Sequence, residues 1–292
     1  MQIIGHQKQW QFLKRAAESG KFSHAYLFSG PEKIGKRTVA LEFVKLICGK
    51  DALAREHPDL IFISPEEKEI QISQIRKLSW KLSLKPYSAP LKVALIDKAH
   101  CLNQEAQNSL LKTLEEPKGE ALLILITENP QILFPTIISR CEIIKFNPVE
   151  NSEIEKYLKK QEIGQQRLKE IINLAAGKPG AAIDFLQNPE KLEAQKKLKE
   201  KLTEIIQSEL FLRFQYAKAL SDDSVNLKEV LEVWLSFLRE ALISKIKGKE
   251  SLKDYSIPQL KNALERIQTT NYLISTTNVN RRLALEVLLM HL

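Results

Sequence analysis

The sequence predicts an α/β domain built on a parallel sheet, followed by a wholly helical remainder. Two observations carry this. Up to residue 147, five short apolar runs alternate with helix-spaced segments, and each run is apolar on successive residues, as strands covered on both faces must be. Beyond Pro148 only helical periodicity remains.

The expected strands are 25–29, 60–64, 93–97, 122–127 and 142–146. Between them, 71–84 places Ile72, Ile75, Leu78 and Leu82 at helical spacing. A second helix is expected from Asn103, as N-cap, to Glu116. Ala106, Leu110, Leu111 and Leu114 share one of its faces, and Pro117 ends it. A short pattern over 132–139 precedes the last strand. The helical remainder reads as 152–186, a highly charged run over 191–207, then 210–220, 227–246, 257–275 and 281–292. Modest linkers at Asn147-Pro148, Gln187-Asn188-Pro189 and Lys247-Gly248-Lys249 divide the chain into 1–147, 148–189 and 190–292. These are an α/β domain, a small helical domain and a carboxy-terminal helical bundle.

Hydrophobic residues at 43% and charged residues at 27% place the chain among globular rather than disordered proteins. No apolar run reaches the roughly 18 residues of a membrane span, so no membrane partner is expected. The start, Met1 to His6, lacks the basic and apolar regions of a secretory leader. Cys48, Cys101 and Cys141 are odd in number and without C-x-x-C spacing. That pattern argues against a disulfide framework or a zinc site and fits a reducing cytoplasm. A net charge of +8 draws polyanions, nucleic acid foremost, although mild basicity is common.

Gly30-Pro31-Glu32-Lys33-Ile34-Gly35-Lys36 matches the phosphate-loop pattern G-x-x-x-x-G-K, between an expected strand and a helical pattern. The next position needs a hydroxyl for Mg²⁺. Here it is Arg37, which cannot ligate a cation. Thr38 comes one residue late and points about a third of a turn away. Lys33 stands where related loops often carry glycine, at a cost of roughly 1–2 kcal/mol if its backbone is left-handed. Residual nucleotide binding through Lys36 and the loop amides is one reading; a retained structural turn is the favoured one.

The third strand ends in Asp97-Lys98, where an ATPase of this kind carries Asp-Glu. Asp97 retains a carboxylate that could hold Mg²⁺ through water, but a protonated Lys98 cannot activate the attacking water. His100 reads as a surface or structural histidine. No cofactor is expected, and hydrolysis of ATP here is not.

These motifs, with Ser23 to Pro31, His57-Pro58-Asp59, Asn108-Ser109-Leu110-Leu111-Lys112-Thr113-Leu114-Glu115-Glu116-Pro117 and Pro135 to Cys141, resemble the clamp-loader branch of the AAA+ proteins. Within that branch they most resemble the delta-prime family, and the final stretch from Asn278 to Glu286 extends the likeness. The resemblance implies an AAA+ domain with a degenerate ATP site, a helical lid and a collar that joins five subunits. It implies as partners the motor subunits (gamma/tau), the clamp-opening delta subunit, the sliding clamp and primed DNA. It also implies that Arg140, the arginine of Ser139-Arg140-Cys141, is a finger reaching into a neighbour's ATP site, with Ser139 and Cys141 as positioning and packing residues. Thr127 and Asn129 match the position that senses the γ-phosphate; with the other motifs broken, they are expected to satisfy local backbone groups.

The departures are also specific. Many relatives carry a four-cysteine zinc module before His-Pro-Asp, whereas only Cys48 stands here, followed by Gly49 to Glu56. The lid segment from Gly177 to Ala182 lacks the ATP-sensing arginine. An active motor subunit of the loader is the competing reading, and Arg37 and Lys98 count against it. The lysines of 191–201 could touch DNA phosphates, but the interspersed glutamates favour a solvated helix face.

Overall fold

The computed structural model describes residues 2–49, 57–116, 119–161, 163–222, 224–248, 252 and 255–292. The expectations for 50–56, for Pro117 and for Lys249 lie outside them. The chain forms two compact units, one of residues 1–163 with 177–181, the other of 164–176 with 182–292.

The first unit is built on five parallel strands, β1 (Ala25–Ser29), β2 (Leu60–Ile63), β3 (Lys92–Ile96), β4 (Ala121–Thr127) and β5 (Glu142–Lys145), in the order β2-β3-β4-β1-β5. Each falls within a residue of its expected position. The central strands are buried along almost their whole length, while β2 and β5 at the edges are half exposed. Successive side chains point to opposite faces. Tyr26, Phe28, Val93 and Leu95 therefore pack with Val39 and Phe43 of α2 (Lys36–Cys48), and Ala25, Leu27, Ala94 and Ile96 with α3 (Ile72–Leu82) and α4 (Gln104–Glu115).

The helix starts follow side-chain chemistry. Asn103 caps α4 by accepting from the Ala106 amide at 2.8 Å. Gln71 and Gln74 form a reciprocal box at the head of α3. The structure adds α1 (Gln7–Ser19), which is not among the elements expected above. Only Leu13 and Ala16 are buried, and no side chain caps its start. The turn before β5 is a single short helix, α5 (Pro135–Ile138), and α6 (Asn151–Leu158) follows the sheet.

His57-Pro58-Asp59 is a structural anchor. Asp59 is buried and accepts from the amides of Tyr87 (2.8 Å), Ser88 (2.8 Å) and Ala89 (3.0 Å) and from Lys92 Nζ at 3.1 Å. Burial opposes its charge, but these donors win and hold its carboxyl far below the usual carboxylate range. The loop between α3 and β3 is thus fixed on one carboxylate.

The remaining helices are α7 (Gln165–Ala175), α8 (Pro179–Gln187), α9 (Pro189–Ile206), α10 (Leu210–Leu220), α11 (Leu227–Ile246), α12 (Ile257–Thr276) and α13 (Arg281–Met290). In the second unit, Trp234 of α11 is fully buried among Leu202, Leu231, Leu260, Ile267, Leu285 and Leu289, so α9 and α11 to α13 share one core. Among the described residues no helix is long and apolar enough to cross a membrane.

Candidate functional site

Parallel strands bring the loops after β1, β3 and β4 to one edge of the sheet. There Glu32, Lys36, Arg37, Asp97, His100 and Thr127 line a cavity of about 250 Å³, together with Thr38 and Gly35. The register explains the grouping: Ser29 of β1 is level with Thr127 of β4, and the Gly30 amide donates to the Thr127 carbonyl at 3.2 Å. Only glycine fits at 30, because a Cβ would come within 2.2 Å of the Phe146 carbonyl oxygen.

The phosphate loop is held by its own chain. Lys36 is 6% exposed, and its Nζ donates to the carbonyls of Gly30 at 2.6 Å and Pro31 at 2.7 Å. Burial pushes its pKa down to about 8, against the carboxylates of Glu128, Asp97 and Glu32, which favour the charged form. His6 Nε2 donates to the Ile34 carbonyl at 2.8 Å; burial lowers the histidine's pKa and favours this neutral donor. Lys33 is left-handed at φ 59°, and its carbonyl accepts from the Gly180 amide at 2.8 Å. A Cβ at Gly180 would lie 2.6 Å from that oxygen, so glycine permits the approach. Four loop carbonyls are therefore satisfied without any ligand.

The metal-binding chemistry is displaced as well. Arg37 Nη1 lies 3.8 Å from Asp97 Oδ2, so a guanidinium faces the acid where a hydroxyl and Mg²⁺ would have to meet. Lys98 Nζ lies 3.8 Å from Glu32 Oε1 and adds a second cation to the rim. Mg²⁺ needs oxygen donors in near-octahedral array, and this donor set does not fit it.

Thr127 and Asn129 meet through the Asn129 amide, which donates to Thr127 Oγ1 at 3.1 Å. His100, which in the sequence had no evident partner, sits between Thr127 Oγ1 at 3.3 Å and Glu128 Oε1 at 3.2 Å. Burial lowers its pKa, but hydrogen bonds with Cys101 and Glu128 overcome this and raise it to about 9. A histidine protonated at neutral pH is an ion-pair partner, not a general base.

Arg140 lies elsewhere. It follows α5 and precedes β5, at the starts of the parallel strands, whereas the cavity lies at their ends. Glu142 is level with Tyr26 and Lys145 with Ser29, so about 10 Å of strand separates the two levels. Arg140 Nη1 donates to the Thr136 carbonyl at 3.0 Å, and Nη2 lies 2.7 Å from Glu115 Oε1.

The three cysteines are unpaired. Burial, with the nearby Asp59 charge, pushes Cys48 up to about 11, and burial pushes Cys141 up to about 12. Both are packed neutral thiols rather than thiolate ligands. In 191–201, Lys191 pairs with Asp184, Lys196 with Glu170 and Glu193, Lys199 with Glu240 and Lys201 with Glu204, as on a solvated helix face.

A family model described as "DNA polymerase III, delta subunit" matches residues 5–150. The DNA polymerase III subunit delta' of Bacillus subtilis (strain 168) is 28% identical over 94% of this chain and 89% of its own length. The tau subunit of the same organism is 34% identical, but over 52% of this chain and 30% of its own length. A DNA polymerase III gamma-subunit-related protein from Thermotoga maritima shares the fold, with a TM-score of 0.55 and 23% identity across 97% of this chain and 98% of that one. The delta' relative from Bacillus subtilis matches nearly end to end, and the tau relative over about half of this chain. The chain belongs to the delta-prime family of DNA polymerase III clamp-loader subunits.

Proposed function

We propose that the chain is a non-hydrolysing clamp-loader subunit that lends Arg140 to a neighbour's ATP. In this reading it helps hold a five-membered loader together with gamma/tau motor subunits and a clamp-opening delta subunit, and so supports placing a sliding clamp on primed DNA in the cytoplasm. The 148–189 segment serves as lid and 190–292 as collar.

The observation that carries the reading is the position of Arg140 at the opposite end of the sheet from its own cavity. A guanidinium there cannot serve the chain's own phosphate loop but is free to serve another's. In phosphoryl transfer, charge spreads over the equatorial oxygens of the moving group. A fixed, permanently charged fork of donors stabilises that charge and is worth roughly 10³–10⁵ in rate. The chain's own loop supports the same division of labour: Arg37 faces Asp97, and Lys36 is engaged by backbone carbonyls.

The competing reading is an active motor subunit, which the 34% identity to tau brings forward. It requires Mg²⁺ at Asp97 and a base beside it, and Arg37 and Lys98 oppose both. ATP turnover by the isolated chain decides between them. None is expected; turnover that Lys36→Ala abolishes would establish the motor.

A further inference from the structure

We propose that Glu115 is a positioning residue for Arg140, an inference that rests on the finger reading. Glu115 ends α4, where the helix dipole disfavours a carboxylate, and Glu116 follows it directly. A charge placed against its local preference calls for a compensating partner. That partner is Arg140 Nη2, 2.7 Å from Glu115 Oε1.

The second constraint is the Thr136 carbonyl, which accepts from Arg140 Nη1 at 3.0 Å. The guanidinium is thus gripped on two nitrogens, by a carboxylate from α4 and by the backbone of α5. An arginine fork carries five N–H donors. These two contacts use one donor each and leave the others for phosphoryl oxygens. Both side chains remain partly open, at 36% for Arg140 and 49% for Glu115, so an incoming anion can reach the fork without unpacking the core.

The energetic logic is preorganisation. A free arginine side chain samples many rotamers, and ordering it only when the neighbouring nucleotide reaches its transition state would raise the barrier. Glu115 fixes the plane of the fork in advance. Its contribution is therefore to kcat of the neighbour's reaction rather than to ATP affinity.

The test uses the reconstituted loader with clamp and primed DNA. Glu115→Ala is expected to lower stimulated kcat about tenfold with KM for ATP unchanged, while Glu115→Gln, which keeps an acceptor oxygen in place, stays within about twofold of the parent. Adding Glu115→Ala to Arg140→Ala should cost nothing further. A kcat for Glu115→Ala at or above the parent's overturns the inference, as does extra loss in the double variant. Arg140→Ala run alongside separates the two ideas. If it leaves kcat intact, the finger reading itself fails; if it alone is slow, only the role of Glu115 does.

Discussion

Arg140 Nη2 and Glu115 Oε1 lie 2.7 Å apart, joining the end of α4 to the turn before β5. Two sequence motifs that stand apart in the chain thus form one local structure at the starts of the strands. On the proposed reading, its functional weight falls on Arg140. In the assembled loader, Arg140→Ala should lower clamp-stimulated ATP turnover by roughly 10³-fold or more, with the subunits still co-eluting. Arg140→Lys should recover little, because a lysine lacks the planar fork. Unchanged turnover would refute the finger.

The engagement of Lys36 by Gly30 and Pro31 makes a prediction of opposite kind. In a working phosphate loop this lysine serves the nucleotide; here its Nζ is engaged by two backbone carbonyls. Lys36→Ala should lower stability by ~1–3 kcal/mol, since it strips donors from partly buried carbonyls. Saturating Mg²⁺–ATP should leave the melting temperature of the parent chain unmoved. A ligand-dependent rise in that temperature would mean that the native state binds nucleotide.

His100 and Lys36 give the stability a defined pH signature. The folded pKa of His100, about 9, lies above its ordinary value of 6.5. Its contribution is therefore fully present below about pH 6.5 and is lost as pH rises through about 9. Lys36 acts in the other direction. Its folded pKa of about 8 lies below 10.5, so the cost of burying its charge is relieved as pH rises from about 8 to 10.5. Subtracting melting curves of His100→Gln from those of the parent, between pH 6 and 10, isolates the first effect. A difference that does not shrink on the alkaline side sinks the assignment.

Asp59 supplies the acid-side counterpart. Its carboxylate collects three amides and Lys92, so Asp59→Ala should destabilise the chain by ~3 kcal/mol, as removal of one member of a buried charged network does. Because its folded pKa is depressed, this contribution is present above the unfolded value near 3.9 and is lost as pH falls toward the folded one. Chemical denaturation at pH 7 and pH 3 measures both. An Asp59→Ala chain as stable as the parent at pH 7 would count against the anchor.

The strands were legible because a sheet covered on both faces leaves continuous apolar runs, of which Ala25–Ser29 and Ala121–Thr127 are the clearest. The departures around the phosphate loop were legible too, since Arg37 and Lys98 differ from the expected hydroxyl and acid by residue type alone. Partnerships were not. Nothing in the local pattern ties Glu115 to Arg140, Asp59 to the loop at Tyr87, or His100 to Glu128; each pair meets only after parallel strands bring distant loops together, the first two at the strands' starts and the third at their ends. α1 does carry a stripe, with Trp10, Leu13 and Ala17 at helical spacing against the core, and it went unread rather than being hidden.

The hydrogen bond from Gly180 to Lys33 closes the phosphate loop with backbone alone. Backbone atoms have no charge to gain or lose and no nucleotide to wait for. A joint made this way asks nothing of side-chain charge. On the proposed reading, such a part would serve the loader as a datum, a fixed point from which the movement of its neighbours is measured.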